Sequence, residues 1–260
     1  MNILIISHSL HPNPDIAAKR FSEMIPHLLQ LGCRVDVITG NIREDAASRG
    51  FDKDVKIHEV GRPINIGLTK VTKSSPCEGL SSPAKSIRRL VRQIGFPTTV
   101  LDRTLWQWYL PAMRYIKRNP QAFQHVDVIV GSCRPFSSLM IARKLGKRLR
   151  KPWVADYRDL IIEHTPMKSH SKLLCFFIEK KITASCSGCI TVSPTLTKIT
   201  ERKLKVPTQT IFNGIKDEWL NDSIDRNVVS NVTSKKYVYY AGRFYPHQMD
   251  AVKLCLAALK

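Results

Sequence analysis

VGSCRPFSSLMIARKLGKRLRKPWVADYRDL, residues 130–160, reads as the end of a strand, a turn, a helix, a second strand and a second turn. Asp127–Gly131 (DVIVG) is the apolar run of a fully buried strand, and Ser132–Phe136 (SCRPF) is a tight turn. Ser137–Arg150 then has helical spacing, with Leu139, Ala142, Leu145 and Leu149 on one side. Pro152–Ala155 (PWVA) is a second buried strand, and Asp156-Tyr157-Arg158-Asp159 follows its end. A strand–helix–strand unit of this size closes as a parallel, right-handed crossover. In open parallel sheets ligands bind beyond the carboxyl ends of the strands. Chemistry is therefore expected around SCRPF and DYRD.

The rest of the chain repeats the pattern. Asn2–Ile6 (NILII) predicts a buried first strand, Ser7–Asp15 a Pro/His/Asn-rich loop, and Ile16–Leu31 an amphipathic helix with Ala17, Phe21, Met24, Ile25 and Leu28 inward. Gly32 suits a helix stop. Arg34–Thr39 and Val55–Val60 follow as strands. Pro63–Pro83 is polar and irregular, Ser86–Ile94 is a basic helix, and Thr98–Arg118 is a longer helix that Pro111 should bend. Beyond the central unit come a helix (Ser169–Ser185), a strand (Cys189–Ser193), a helix from Pro194 to about Lys205 and a strand (Gln209–Asn213). The expected fold is α/β, a Rossmann-like doubly wound parallel sheet spanning residues 1–213. Residues 214–236 read as a linker, and 237–260, with strand YVYYA at Tyr237–Ala241, as the opening of a second α/β domain. No G-x-G-x-x-G follows the first strand, so a dinucleotide fingerprint is absent.

Composition narrows the partner. The chain of 260 residues carries 41 Lys+Arg against 21 Asp+Glu, a net charge of +20. That excess favours an anionic partner: phosphates, a membrane surface or nucleic acid. No basic–aromatic strand ladder or other recognition motif supports nucleic acid. No apolar run approaches a membrane span. Seven scattered cysteines fit reduced thiols in a cytoplasm. Basic clusters at Lys85–Arg92 and Arg143–Lys151, with Trp106 and Trp108, suit a lipid interface; the plainer reading makes the aromatics core residues and the clusters solvated faces.

Candidate site residues lie in the loops. His8, His11 and Asp15 follow the first strand and could act as acid/base groups or phosphate contacts. Arg158 suits phosphate or carboxylate, and Asp159 sugar hydroxyls or a proton; a structural ion pair is the alternative. Cys186 and Cys189 have C-x-x-C spacing without a second ligand pair, and read as buried thiols rather than a metal site.

The ordered set ILIISHSLHPNPDIAAKRF, GSCRPFSSLMIARKLGKRLRKPWVADYRDL, IEKKITASCSGCITVSPTLT, IFNG and YVYYAGRFYP resembles glycosyltransferase family 4. These two-domain GT-B enzymes move a sugar from a nucleotide diphosphate to an acceptor. It is closest to members that build surface polysaccharides on lipid carriers at the cytoplasmic membrane. The resemblance implies that the His8–Asp15 loop meets the sugar diphosphate on the acceptor side; Arg134, Arg158 and Asp159 are expected at substrate from their places beyond the strand ends. It places Asn213 and Gly214 at the hinge end of the first domain, and Gly242 and Arg243 at the donor diphosphate. No catalytic residue is fixed; Asp15 and Asp159 are the candidates. No metal or other cofactor is expected, since Arg, Lys and helix N-termini can offset the diphosphate charge.

Three departures stand out. Asp15-Ile16-Ala17-Ala18 replaces the usual loop glycines, Cys133-Arg134 stands where many members carry His, and His247-Gln248 occupies the region of a common Lys. The family's paired glutamates would lie beyond Lys260, so residues 1–260 alone are expected to be inactive. The rival readings are a non-catalytic module of the same fold that docks to a membrane or partner, and a basic nucleic-acid binder.

Overall fold

A computed structural model of the protein describes residues 1–10, 16–40, 55–61, 104–160, 169–214 and 249–258. The chain divides into two compact units, Met1–Lys216 and Asp217–Lys260.

In the first unit, seven parallel strands form one sheet among the described residues, in the order β3-β2-β1-β4-β5-β6-β7. They are β1 (Asn2–Ile6), β2 (Arg34–Thr39), β3 (Val55–Glu59), β4 (Val128–Cys133), β5 (Trp153–Tyr157), β6 (Gly188–Thr191) and β7 (Thr208–Thr210). The helices are α1 (Ile16–Gln30), α2 (Leu110–Arg118), α3 (Ser137–Leu149), α4 (Ser169–Thr183) and α5 (Pro194–Leu204).

Period-2 alternation explains why the sheet is covered on both faces. In β1, Leu4 and Ile6 join one apolar cluster with Ile38, Ala112, Ile116, Ile129, Leu139 and Leu145. Ile3 and Ile5 join the other, with Val35, Val37, Phe21 and Ile25 of α1. Each fully buried Leu, Ile or Phe contributes about 1.5–3 kcal/mol. A single strand facing two cores must be apolar where it is buried, as Ile3–Ile6 of β1 are.

Helix α1 ends where Gly32 takes the left-handed conformation at φ 74°. Pro111 is the second residue of α2, which continues without a break from the helical turn before it, so its missing N–H falls inside a helical run. The disturbance expected there is a π-helical turn, Leu105–Tyr109, running into α2.

Several expected boundaries move. Ser132 and Cys133, read as turn, pair with Asp156 and Tyr157, read as lying past the strand. Both strands thus run two residues further, carrying Tyr157 to full burial and Asp156 to 1% exposure. The strand expected at Gln209–Asn213 is Thr208–Thr210.

Trp108 is completely buried, so the lipid-interface reading fails for it; the indole is core. The Trp106 side chain lies outside the described residues. Cys186 and Cys189 bring their sulfurs to 4.0 Å, and no group of three His, Cys, Asp or Glu among the described residues is arranged to hold a metal ion. The basic helix at Ser86–Ile94 and the polar segment Pro63–Pro83 lie outside the described residues.

In the second unit the described element is α6 (Met249–Ala258), which buries no side chain and exposes Leu254 and Leu256. The strand expected at Tyr237–Ala241 lies outside the described residues.

Candidate functional site

From β1 the chain proceeds outward to β2 and β3; β4 then starts on the other side of β1 and the order runs outward to β7. This reversal between β1 and β4 is the topological switch point, where open α/β sheets bind ligands. The loops after β1, β4 and β5 are neighbours there, because those strands are consecutive in the sheet.

The loop after β1 is fastened from within. Ser7 and Ser9 are buried; the Ser7 Oγ donates to the Ser9 carbonyl at 2.8 Å, and the Ser7 N–H to Ile38 at 3.1 Å. The His8 carbonyl accepts from the Thr39 hydroxyl and the Gly40 N–H, both at 3.2 Å. The His8 ring meets Trp108 edge to face, centroids 5.0 Å apart. A Cβ on Gly40 would fall 2.6 Å from Trp108 Cδ1 and 2.9 Å from His8 Cδ2. Glycine is required by close packing here. His11 and Asp15 lie outside the described residues.

The β5 side is organised by a buried ion pair that sequence reading did not identify. Arg20 of α1 and Asp156 of β5 have side chains 2% and 1% exposed. Arg20 donates from Nε to both Asp156 oxygens, at 3.1 and 3.2 Å, and from Nη2 to Oδ1 at 2.9 Å. Its Nη1 donates to Asn213 Oδ1 at 2.7 Å and to the Ile211 carbonyl at 3.2 Å. One planar guanidinium thus fastens α1, the end of β5 and the strand exit after β7. Burial pushes the Asp156 carboxyl above its usual range, opposed by the Arg20 charge and hydrogen bonds, by Arg158 and by the Ser132 hydroxyl. Asp156 is thereby committed to structure.

Arg158 and Arg134 cross-link the two neighbouring turns. Arg158 donates from Nε to the Cys133 carbonyl at 3.3 Å and from Nη2 to that of Arg134 at 3.2 Å. Arg134 donates from Nη2 to the Leu160 carbonyl at 3.4 Å. A guanidinium has five N–H donors, so Arg158 keeps capacity for an anion beyond its two carbonyls. Asp159 is exposed beside it. Cys133 is no nucleophile: burial pushes its thiol far up, away from the reactive thiolate.

The strand ends thus place His8 after β1, Arg134 after β4, Arg158 and Asp159 after β5, and Asn213 and Gly214 after β7. Gly242 and Arg243 lie outside the described residues. Two cations, a carboxylate and an amide beyond one sheet edge suit a phosphorylated, hydroxyl-rich ligand.

No family model and no curated protein matches the chain. Among solved structures it is similar to sucrose-phosphate synthase from Thermosynechococcus elongatus, 15% identical, over 85% of this chain and 93% of that one, with a TM-score of 0.47. It is also similar to MurG from Acinetobacter baumannii, 11% identical, over 83% of this chain and 46% of that one, with a TM-score of 0.37. A third is UGT2 from Phytolacca americana complexed with UDP-2fluoro-glucose and pterostilbene: 10% identity, 84% of this chain, 56% of that one, TM-score 0.47. The chain spans about half the length of the latter two.

Proposed function

We propose that residues 1–213 are the acceptor-side domain of a retaining GT-B glycosyltransferase, with 214–236 a linker and 237–260 the start of the nucleotide-sugar domain. The observation that carries this is the set His8, Arg134, Arg158, Asp159 and Asn213 on loops beyond one carboxyl edge, with His8 and Arg134 flanking the β1–β4 switch point. The ordered resemblance of the motifs supports it. In this reading Arg134 and Arg158 offset phosphate charge on the substrate. Gly242 and Arg243 meet the donor diphosphate, and Asp159 or Asp15 accepts a proton or holds a sugar hydroxyl. No metal is required. The acceptor is a lipid-linked or polysaccharide sugar in surface polysaccharide assembly.

Donor and acceptor must be held together, and orientation supplies roughly 7–11 kcal/mol of barrier lowering in such reactions. Residues 1–260 by themselves should therefore bind nucleotide sugars weakly, with millimolar Kd (about −4 kcal/mol), and release negligible nucleotide. Calorimetry with UDP-, GDP- and ADP-sugars, followed by a nucleotide-release assay with lipid-phosphate acceptors, tests both points. Repeated acceptor-dependent turnover would overturn the inactivity. Absence of binding by every nucleotide sugar would overturn the glycosyltransferase reading.

The membrane part of the proposal rests on α4, cytoplasmic-face association being the setting. Leu173 and Phe177 are 57% and 58% exposed beside Lys172, Lys180 and Lys181. Basic residues near an anionic surface contribute about 1 kcal/mol each, and the apolar side chains add burial. No described helix is long and apolar enough to cross a membrane. Co-sedimentation with phosphatidylglycerol vesicles should be strong at low salt and fade as salt rises. Equal binding to neutral and anionic vesicles would defeat the charge argument. The same face favours one alternative, a non-catalytic docking module, for which vesicle binding would persist without any affinity for nucleotide sugar.

A further inference from the structure

The opposite edge of the sheet carries a second concavity. Arg143, Lys144, Gly146, Lys147 and Arg150 of the last turns of α3 and its exit line a pocket of about 590 Å³ with Lys151, Trp153 and Ser185. Trp153 opens β5, so the pocket lies at the amino edge, a strand's length of roughly 16 Å from the carboxyl-edge loops. The volume falls within the range of small-molecule sites.

Its charge is one-sided. Five cations line it, and among the described residues their one ion pair is Lys151 with Asp127 at 3.9 Å. The spacing aggravates this. Arg143 and Lys147 are four apart on α3, and Lys144 and Lys147 three apart, while Arg150 and Lys151 follow beyond its last residue. Like charges at these spacings repel on a helix surface. The negative end of the α3 dipole offsets a part of this; a multiply charged anion would offset more. A neutral donor completes the wall. Trp153 Nε1–H donates to Ser185 Oγ at 3.3 Å, which fixes that oxygen as acceptor and leaves the Ser185 O–H to donate elsewhere.

We propose that this amino-edge pocket binds a compact di- or polyphosphate group, held by Lys147, Arg150 and their neighbours and by the Ser185 hydroxyl. The site is separate from the one assigned to sugar transfer and stands or falls independently of it. The same chemistry could arrive on a soluble molecule or on a lipid diphosphate.

The test is calorimetric titration of the full chain with inorganic pyrophosphate at low salt. A saturable event is expected that persists in Arg158→Ala and weakens at least about tenfold in Lys147→Glu/Arg150→Glu, through loss of two charge-assisted contacts. Lys198→Glu/Arg202→Glu, an equal charge change on exposed positions of α5, should leave it within about twofold, because distant exposed charges are screened. Ser185→Ala should weaken it by a smaller factor. Vesicles bearing a lipid diphosphate separate the two sources: capture competed away by pyrophosphate identifies the lipid-borne group, and pyrophosphate binding without capture the soluble one. No saturable binding, equal weakening by both double variants, or loss in Arg158→Ala alone would overturn the proposal.

Discussion

Asp156→Ala is expected to cost about 3–5 kcal/mol of stability, because it strands the guanidinium of Arg20 in the protein interior. The two side chains are 2% and 1% exposed and share three short hydrogen bonds, so no water stands ready to replace the carboxylate. Arg20→Ala should be similarly severe, leaving Asp156 buried without its counter-charge and releasing Asn213 and the Ile211 carbonyl. Replacing both partners by apolar residues, as in Arg20→Met/Asp156→Leu, should cost far less than the sum of the singles, since no uncompensated charge remains. Urea unfolding of the four proteins closes the cycle. A loss below about 1 kcal/mol in Asp156→Ala would mean that the pair is solvated rather than buried.

Trp108→Ala is the second large effect, again about 3–5 kcal/mol, the range for emptying a fully buried aromatic position. The indole is 0% exposed and supports the His8 ring, and Gly40 packs against it. Its removal should therefore loosen the loop after β1 as well as the core. The same contact can be probed from the other side. Gly40→Ala places a methyl group 2.6 Å from the indole and should cost about 1–3 kcal/mol by overpacking. That penalty should shrink when Trp108 is replaced by the smaller Phe. Additive losses in the double variant, or a Trp108→Ala protein as stable as the parent, would contradict the packing described.

The sheet was legible in the sequence because strands buried on both faces are rich in β-branched and apolar residues, as Ile3–Ile6 and Val128–Val130 are, and Val35, Val37 and Ile38 keep that character around Asp36. The helices were legible from their apolar spacing, and the end of α1 from Gly32, which the backbone needs at φ 74°. The strand ends were not. Asp156 looks like the first polar residue of a turn until Arg20, 136 positions away, is seen to neutralise it. One local sign existed: Arg20 lies directly before inward-facing Phe21, where a charge requires a buried partner. Trp108 was ambiguous for a different reason, since an aromatic beside basic residues has the same local pattern in a core and at a lipid interface. The amino-edge pocket was hidden in a run of Lys and Arg that reads as a solvated face. Concavity comes only when α3 packs over Trp153 and the α4–β6 connection.

The central claim is that ligand chemistry sits at the carboxyl edge, around the β1–β4 switch point. Hydrogen–deuterium exchange with and without a millimolar nucleotide sugar and a polyprenyl phosphate reads that location directly. The expected result is slowed exchange in residues 7–10, 134–136, 158–160 and 211–214, whatever the diphosphate does at the amino-edge pocket. Protection confined to the α3–β5 connection, or none in any of the four carboxyl-edge segments, would contradict it.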